Sequence, residues 1–513
     1  MAEIVLELSK IQVLNQFLLT LLLIIPLVLV ARTLVAGSRY SAILLIVIFG
    51  LGMGYVLVAS EVGTPGLPEF KIVDLISRST IIALVAAFFV GGQELRKIFN
   101  KLSVKPDTSM IPSDKEIVVG TTSGQLFFLI RTFFLLLGIE AIFRFIVNIE
   151  YGSMSHFYPL LAFIGLTISI ILIDHRATFE NKKLYVRKGI LETFVIVMIL
   201  VSSFYVATWI KPLIALPQIF FAMVITASLG AIFYKWCFGP TIRALLFAGL
   251  PIVLAANFMV GGSRIMEAFG VSEMSAVLVF GFFGQLLWMF GGIALIMIFA
   301  KTANVRNLAP ALAGGLSHAG LTGACTAGDL GQKAASRTPI MINLPFIAHI
   351  FVFSILAMSA AQGELMLIPA LVVLAVGLVL TAIALLGLRK AKDEDDKEVK
   401  ALMKFSLGWQ LTAMFGGFVL LSIFAMPLDY TAAAVTSSLS HFGLFAATQD
   451  GMFGAEIASL LPFIFAMPFL VHPFVFFIFG RAMDKKGEMP KLPVYILASI
   501  GLVGVIVALF LIA

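Results

Sequence analysis

The stretch LSHAGLTGACTAGDLGQKAASRTPIMINLPFIAHIFVF, Leu316 to Phe353, returns 123 residues later as LSHFGLFAATQDGMFGAEIASLLPFIFAMPFLVHPFVF, Leu439 to Phe476. Seventeen of the 38 ungapped positions are identical, among them Leu316, Ser317, His318, Gly320, Leu321, Pro339, Pro345, Phe346, His349 and Phe353 with their partners. The similarity continues upstream after a two-residue slip. Met289–Gly292 matches Met414–Gly417, and Ile298–Ala300 matches Ile423–Ala425. Four of the six histidines, His318, His349, His441 and His472, are therefore two copies of one pair. In a membrane chain, such a repeat points to a carrier built from two related halves around one site.

The bilayer is the solvent this composition fits. Mean hydropathy is +1.07, and only 12% of residues are charged, against about 25% in soluble domains. Crossing ~30 Å of hydrocarbon takes about 20 apolar residues. The sequence predicts about 14 such spans, near 11–36, 41–60, 73–91, 123–148, 156–174, 188–209, 213–235, 241–260, 275–300, 340–361, 365–388, 405–427, 460–480 and 491–512. The first lacks the flanks of a cleaved signal and reads as a span. No loop is long enough for a soluble domain, the longest being 92–122 and 389–404. Cys237 and Cys325 lie in or beside apolar segments and offer neither a disulfide framework nor metal spacing. The net charge of +7 belongs to loops and implies no nucleic-acid partner.

Loop charge sets the orientation, because Lys and Arg favour the cytoplasmic side. Basic loops follow the first span (Arg32, Arg39), the third (Arg96, Lys97, Lys101, Lys105), the fifth (Arg176, Lys182, Lys183, Arg187, Lys188) and the seventh (Lys235, Arg243). Later come Lys301 and Arg306, then 389–404, then 481–491. The loops between, such as 60–74 and 148–156, are poor in Lys and Arg, so both termini are expected outside. Every basic loop falls inside only if 308–328 and 432–451 enter and return on one side. The expected architecture is thus an all-α polytopic membrane protein with two re-entrant segments and a C-terminal inverted repeat. Its regions are a scaffold over 1–274, unit one over 275–388 with 308–328 re-entrant, and unit two over 405–513 with 432–451 re-entrant.

Backbone without helical bonding cannot face lipid, so two re-entrant segments should meet around a polar site near the midplane. Ser317, His318, Gly320, Thr322, Ser440, His441 and Gly443 are the candidate binding residues. His349 and His472, on the helices that follow, are candidate supports or proton relays, because imidazole titrates near neutrality. Asp329, Asn343 and Glu140 complete the supporting set. The competing explanation of the Gly/Ser tract is close helix packing. For the histidines it is simple hydrogen bonding within the bundle. Some aligned positions differ: Lys333 faces Glu456, Asp329 faces Met452 and Asn343 faces Ala466. Glu140 and Arg144 are spaced to pair on one helix face beside Arg131. Pro251 and Asn257 suggest a kinked eighth span, and the four tryptophans read as anchors or packing groups.

The Gly-rich segment followed by Ala348-His349-Ile350-Phe351 or Val471-His472-Pro473-Phe474 resembles the repeated unit of sodium–phosphate cotransporter-like carriers. It is similar, too, to the wider ion-transporter group with paired hairpins, over roughly 290–480. The run of Gln and several serines typical of the phosphate carriers is absent. Ser437–Gly443, and His472 leading to Asp484-Lys485-Lys486, look like a stretch of the antiporter-like proton-conducting subunits of respiratory complex I. The lysine-bearing broken helices of those subunits are absent. The first resemblance implies a secondary active transporter and not an enzyme. It would move a small polar solute or ion, coupled to H+ or Na+, with no cofactor required. Its setting would be the cell membrane, in contact with the lipid bilayer, and carriers of this kind commonly form homodimers. The alternatives are the proton-conducting subunit and a redox protein whose histidines ligate haem or a metal.

Overall fold

The computed structural model describes residues 2–35, 42–59, 71–99, 122–149, 155–173, 182–211, 213, 216–236, 239–300, 304–326, 329–391, 396–485 and 487–512. Arg39, Lys101, Lys105, Arg176, Lys301, Lys486, Cys237 and His175 lie outside these residues. With no water to satisfy backbone groups in hydrocarbon, a chain of this composition must bond its amides within helices. The described residues accordingly form helices and no strand, with two isolated backbone bridges, Asn304 with Glu488 and His318 with His441.

The N-terminal region supplies α1 (Ala2–Val35), α2 (Ala42–Ala59), α3 (Lys71–Ser77), α4 (Thr80–Phe99), α5 (Thr122–Ile146), α6 (Tyr158–Ile171), α7 (Lys182–Ile210), α8 (Gln218–Ile232), α9 (Pro240–Ala244), α10 (Leu250–Ser263) and α11 (Ile265–Ala268). The first copy of the repeat folds as α12 (Met274–Phe299), α13 (Val305–Leu316), α14 (Ala319–Thr326), α15 (Gln332–Ile347), α16 (His349–Gln362) and α17 (Leu367–Lys390). The second copy gives the same succession: α18 (Asp396–Ile423), α19 (Leu428–Leu439), α20 (Phe442–Gln449), α21 (Ala455–Ala466), α22 (His472–Asp484) and α23 (Lys491–Phe510).

Among the described residues ten helices are long and apolar enough to cross a bilayer, and the pair Gln332–Phe346 and His349–Gln362, bent by 47°, passes the same test as one unit. The remaining expected stretches are the shorter apolar helices Ala42–Val58, Ser155–Ile171 and Gln218–Ile232. Large apolar side chains stay exposed along the outer helices, for example Ile368, Val372, Val379 and Leu386 on α17 and Leu502, Val503 and Phe510 on α23. Such a surface suits contact with lipid tails.

Prolines shape the interior. Pro345 has no N–H, so it leaves the carbonyl of Met341 without its helical donor and bends the chain ahead of α16. Ser406 Oγ on α18 donates to that carbonyl at 3.0 Å. Pro251 likewise frees the carbonyl of Phe247, and Arg32 donates to it at 2.5 Å. The irregularity in this span is a π-helical stretch, Leu245–Gly249, just ahead of the proline expected to cause it. Glu140 and Arg144 pair at 2.7 Å, as their spacing predicts.

The two copies exchange partners. The last helix of each packs along the first of the other: α17 on α18, with Gly377 against Thr412, and α23 on α12, with Gly501 against Leu287. Contacts fix relative directions inside the bundle. Asn307 on α13 donates to Glu398 on α18 at 3.0 Å, and further on Gly314 abuts Ser406, so α13 and α18 run the same way. α15 runs with them, Met341 lying beside Ser406 and His349 beside Gln410. α12 runs against α13, with Gly292 beside Leu312 and Gln285 beside His318.

Candidate binding site

α13 and α19 each end in a residue that only a structural demand would put there. Ser317 and Ser440 adopt the left-handed conformation, with φ of 50° and 52°, a region that costs a non-glycine residue roughly 1–2 kcal/mol. Each closes its helix in the same way. The amide of His318 donates to Ala313 O and that of Ser317 to Gly314 O, and His441 and Ser440 repeat this on Thr436 O and Ser437 O. The two ends then clasp each other. Ala319 N donates to Ser440 O at 2.9 Å, and Phe442 N donates to Ser317 O at 3.1 Å.

Beyond the clasp the histidines start the next helices. His318 Nδ1 accepts from Leu321 N at 3.0 Å, and His441 Nδ1 accepts from Leu444 N at 3.0 Å. Each imidazole thus occupies the amide that Ser, Thr, Asp or Asn would satisfy at an ordinary helix start. Because Nδ1 accepts, the hydrogen of the neutral ring sits on Nε2. The carboxamide of Gln285 ends 2.6 Å from His318 Nε2, and that of Gln410 ends 2.8 Å from His441 Nε2. Hydrogen-bond logic then turns each glutamine oxygen toward its ring.

The second histidine pair closes on the first. His472 lies against His318 with ring centroids 4.9 Å apart, and His349 lies against His441 at 5.1 Å. Glycines make the room: a Cβ on Gly320 would stand 2.0 Å from His472 Cε1, and one on Gly443 would stand 3.1 Å from His349 Cε1. Behind each ring is a phenylalanine, Phe346 4.3 Å from His349 and Phe469 4.3 Å from His472. The N-terminal region backs these in turn, with Phe88 on Phe346 at 5.0 Å and Phe258 on Phe469 at 5.1 Å.

The halves differ in one respect. Gln410 reaches His349 Nε2 at 2.9 Å as well as His441, whereas neither ring nitrogen of His472 has a hydrogen-bond partner among the described residues. Ser317 Oγ, Ser440 Oγ and the second terminal atoms of Gln285 and Gln410 are also buried without one. Buried polar atoms are nearly always paired, so this concentration at one place marks where a ligand or water would sit.

Of the residues expected from sequence, Ser317, His318, Gly320, Ser440, His441, Gly443, His349 and His472 converge here, and Thr322 is buried on α14 one turn beyond His318. The others do different work. Asn343 donates to Pro339 O at 2.7 Å and lies against Gly91. Glu140 is held by Arg144. Asp329 occupies the turn after α14, its amide on Ala324 O.

Gln285 and Gln410 escaped the sequence reading although both carry the slipped register. Each stands four residues before the Met-Phe-Gly-Gly motif, Gln285–Gly292 reading QLLWMFGG and Gln410–Gly417 reading QLTAMFGG. Among the described residues no three His, Cys, Asp or Glu side chains form a metal-binding group. His349 and His441 have Nε2 atoms 3.3 Å apart, and Gln410 bonds both. No protein-family model, curated protein or solved structure matches this chain.

Proposed function

We propose that this protein is a secondary active transporter that moves a small polar solute or ion, coupled to a proton or sodium gradient, through the histidine clasp. The observation that carries the reading is the meeting of two interrupted helices at His318 and His441, with unpaired polar atoms buried around them inside an apolar bundle. Hydrocarbon makes such an arrangement costly unless a polar ligand or water pairs with those atoms.

The inverted, re-entrant topology belongs to the same proposal. α12 and α18 open the two copies, and the register of Asn307 with Glu398 and of Gln285 with His318 supports opposite directions for them. α13 and α15 run in parallel with α14 between them, which supports a segment that enters, turns at Ser317 and returns. On this reading the ten long helices, the bent pair and the three shorter helices make fourteen crossings, with both termini outside. Residues 1–274 act as the scaffold, and the likeness to hairpin-containing ion carriers becomes one of architecture.

The test is reconstitution in proteoliposomes. An imposed pH or sodium gradient should drive accumulation of a solute from a panel of small ions and polar metabolites, and His318→Ala should abolish it in protein that still inserts. Solute-independent leak alone would defeat the proposal. So would a Soret band in the purified protein.

A further inference from the structure

The unpaired groups at the clasp can be sorted into donors and acceptors. As the amides stand, Nε2 faces the ring and Oε1 is unpaired on both Gln285 and Gln410; turning each oxygen onto its histidine Nε2–H leaves the two NH2 groups unpaired instead. Ser317 and Ser440 add two hydroxyls, and His472 adds at least one N–H. The carbonyls of Ala313, Gly314 and Ser317 accept His318 N, Ser317 N and Phe442 N, and the second copy matches them. Among the described residues no carboxylate is a hydrogen-bond partner of these side chains. A site of this make-up presents N–H and O–H to its occupant.

We infer that the clasp binds a small anion, held by the Gln285 and Gln410 NH2 groups, the Ser317 and Ser440 hydroxyls and His472, and that His472 takes up a proton with it. The inference rests on the clasp being the carrier's binding site. The proton follows from charge: an anion out of water needs a compensating charge, and His472 is the histidine of the four with both ring nitrogens unpaired. Against His472 lie His318, Phe469, Phe476 and the backbone of Gly320, so His318 is the titratable group facing it among the described residues, and its Nδ1 is committed to the helix start. The carrier would then be an anion–proton symporter.

Full-length protein in detergent is melted in sodium chloride, nitrate, formate or phosphate against sodium gluconate, and then in the best of these anions with sodium, potassium or N-methylglucamine. Specific binding to the folded state raises the melting temperature in proportion to the logarithm of ligand excess. At least one small anion should raise it by several degrees, whatever the cation, and more at acidic than at alkaline pH. His472→Gln should flatten the pH dependence. Gln285→Glu, which keeps the acceptor for His318 but exchanges the donor for a negative oxygen, should remove the shift. Stabilisation that follows sodium regardless of the anion overturns the inference, as does a response no different from gluconate across the panel. Anion-specific stabilisation without gradient-driven flux would leave the inference standing and defeat the carrier reading. Flux that follows a cation would do the reverse.

Discussion

His318 and His441 pair through their backbones as an antiparallel bridge, and each ring turns forward to accept the amide of the residue three positions on. The side chain that could bind a proton therefore also holds the start of the second half of its segment. A proton on Nδ1 would take that cap away, so the charge of the ring and the order of α14 or α20 are linked.

Asparagine separates the two roles. His318→Asn can still accept Leu321 N but cannot titrate, whereas His318→Ala also loses the cap, worth about 0.5–2 kcal/mol; both leave Gln285 without its ring partner. The alanine variant should melt below the asparagine variant, by the worth of the cap. Transport by His318→Asn should keep its pH dependence, which His472 sets. Equal melting of the two variants would show that the cap contributes nothing.

The glutamines give a second expectation. Gln410 serves two rings, at 2.8 Å and 2.9 Å, while Gln285 serves one. Leaving a buried partner unpaired costs about 1–3 kcal/mol, so Gln410→Leu should destabilise more than Gln285→Leu. In a double-mutant cycle with His349→Leu, Gln410 should show coupling and Gln285 none. Thermal melts of the single and double variants measure it.

The duplicated Ser-His signature and the Pro/His helices were legible because they share one ungapped register. The glutamines were not, because a two-residue slip separates their register from that of the histidines and neither stands inside the repeated stretch. Sequence also placed Asn343 and Glu140 by polarity alone. In the fold, Asn343 turns back onto its own helix at Pro339 and Glu140 pairs four residues along its own. Local bonds of this kind compete with any distant site, and hydropathy carries no trace of which wins. The capping role was hidden for a simpler reason: histidine is not a residue that helix starts favour.

Serine at a left-handed helix end is a cost borne twice in this chain. Glycine adopts that conformation without penalty, so Ser317→Gly and Ser440→Gly should be neutral or slightly stabilising in a thermal melt. If the unpaired hydroxyls serve the ligand, the same variants should lose affinity, seen as a raised KM for transport. Stable variants with unaltered KM would reduce the serines to closing residues.

Gly320 and Gly443 occupy equal places with unequal room. A methyl group at Gly320 would collide with His472 at 2.0 Å, while at Gly443 it would meet His349 at 3.1 Å, tight but accommodated by a small shift. Overpacking of this kind costs typically about 1–3 kcal/mol. Gly320→Ala should therefore be the more destabilising and should abolish transport by displacing His472. Gly443→Ala should keep most of both. Equivalent losses would mean that the two histidine pairs are packed alike.

The direction of the two copies yields the last expectation. Lys333 and Glu456 occupy the same place in the repeat, one residue into the first turn of α15 and α21, just past the positive-φ glycines Gly331 and Gly454. If α12 and α18 oppose each other, as the register through Asn307 and Glu398 supports, these two helix starts lie on opposite faces of the membrane. Single cysteines at Lys333 and Glu456, in a variant whose native cysteines are replaced, should react with an impermeant maleimide from opposite sides of intact cells and inverted vesicles. By the charge of the neighbouring loops, Glu456→Cys is the one labelled from outside. Cysteines at Arg306 and Lys333 should behave alike, because a segment that turns back at Ser317 leaves both its ends on one face. Labelling of Lys333→Cys and Glu456→Cys from the same side would make the copies parallel, and labelling of Arg306→Cys and Lys333→Cys from opposite sides would make the first interrupted segment a crossing.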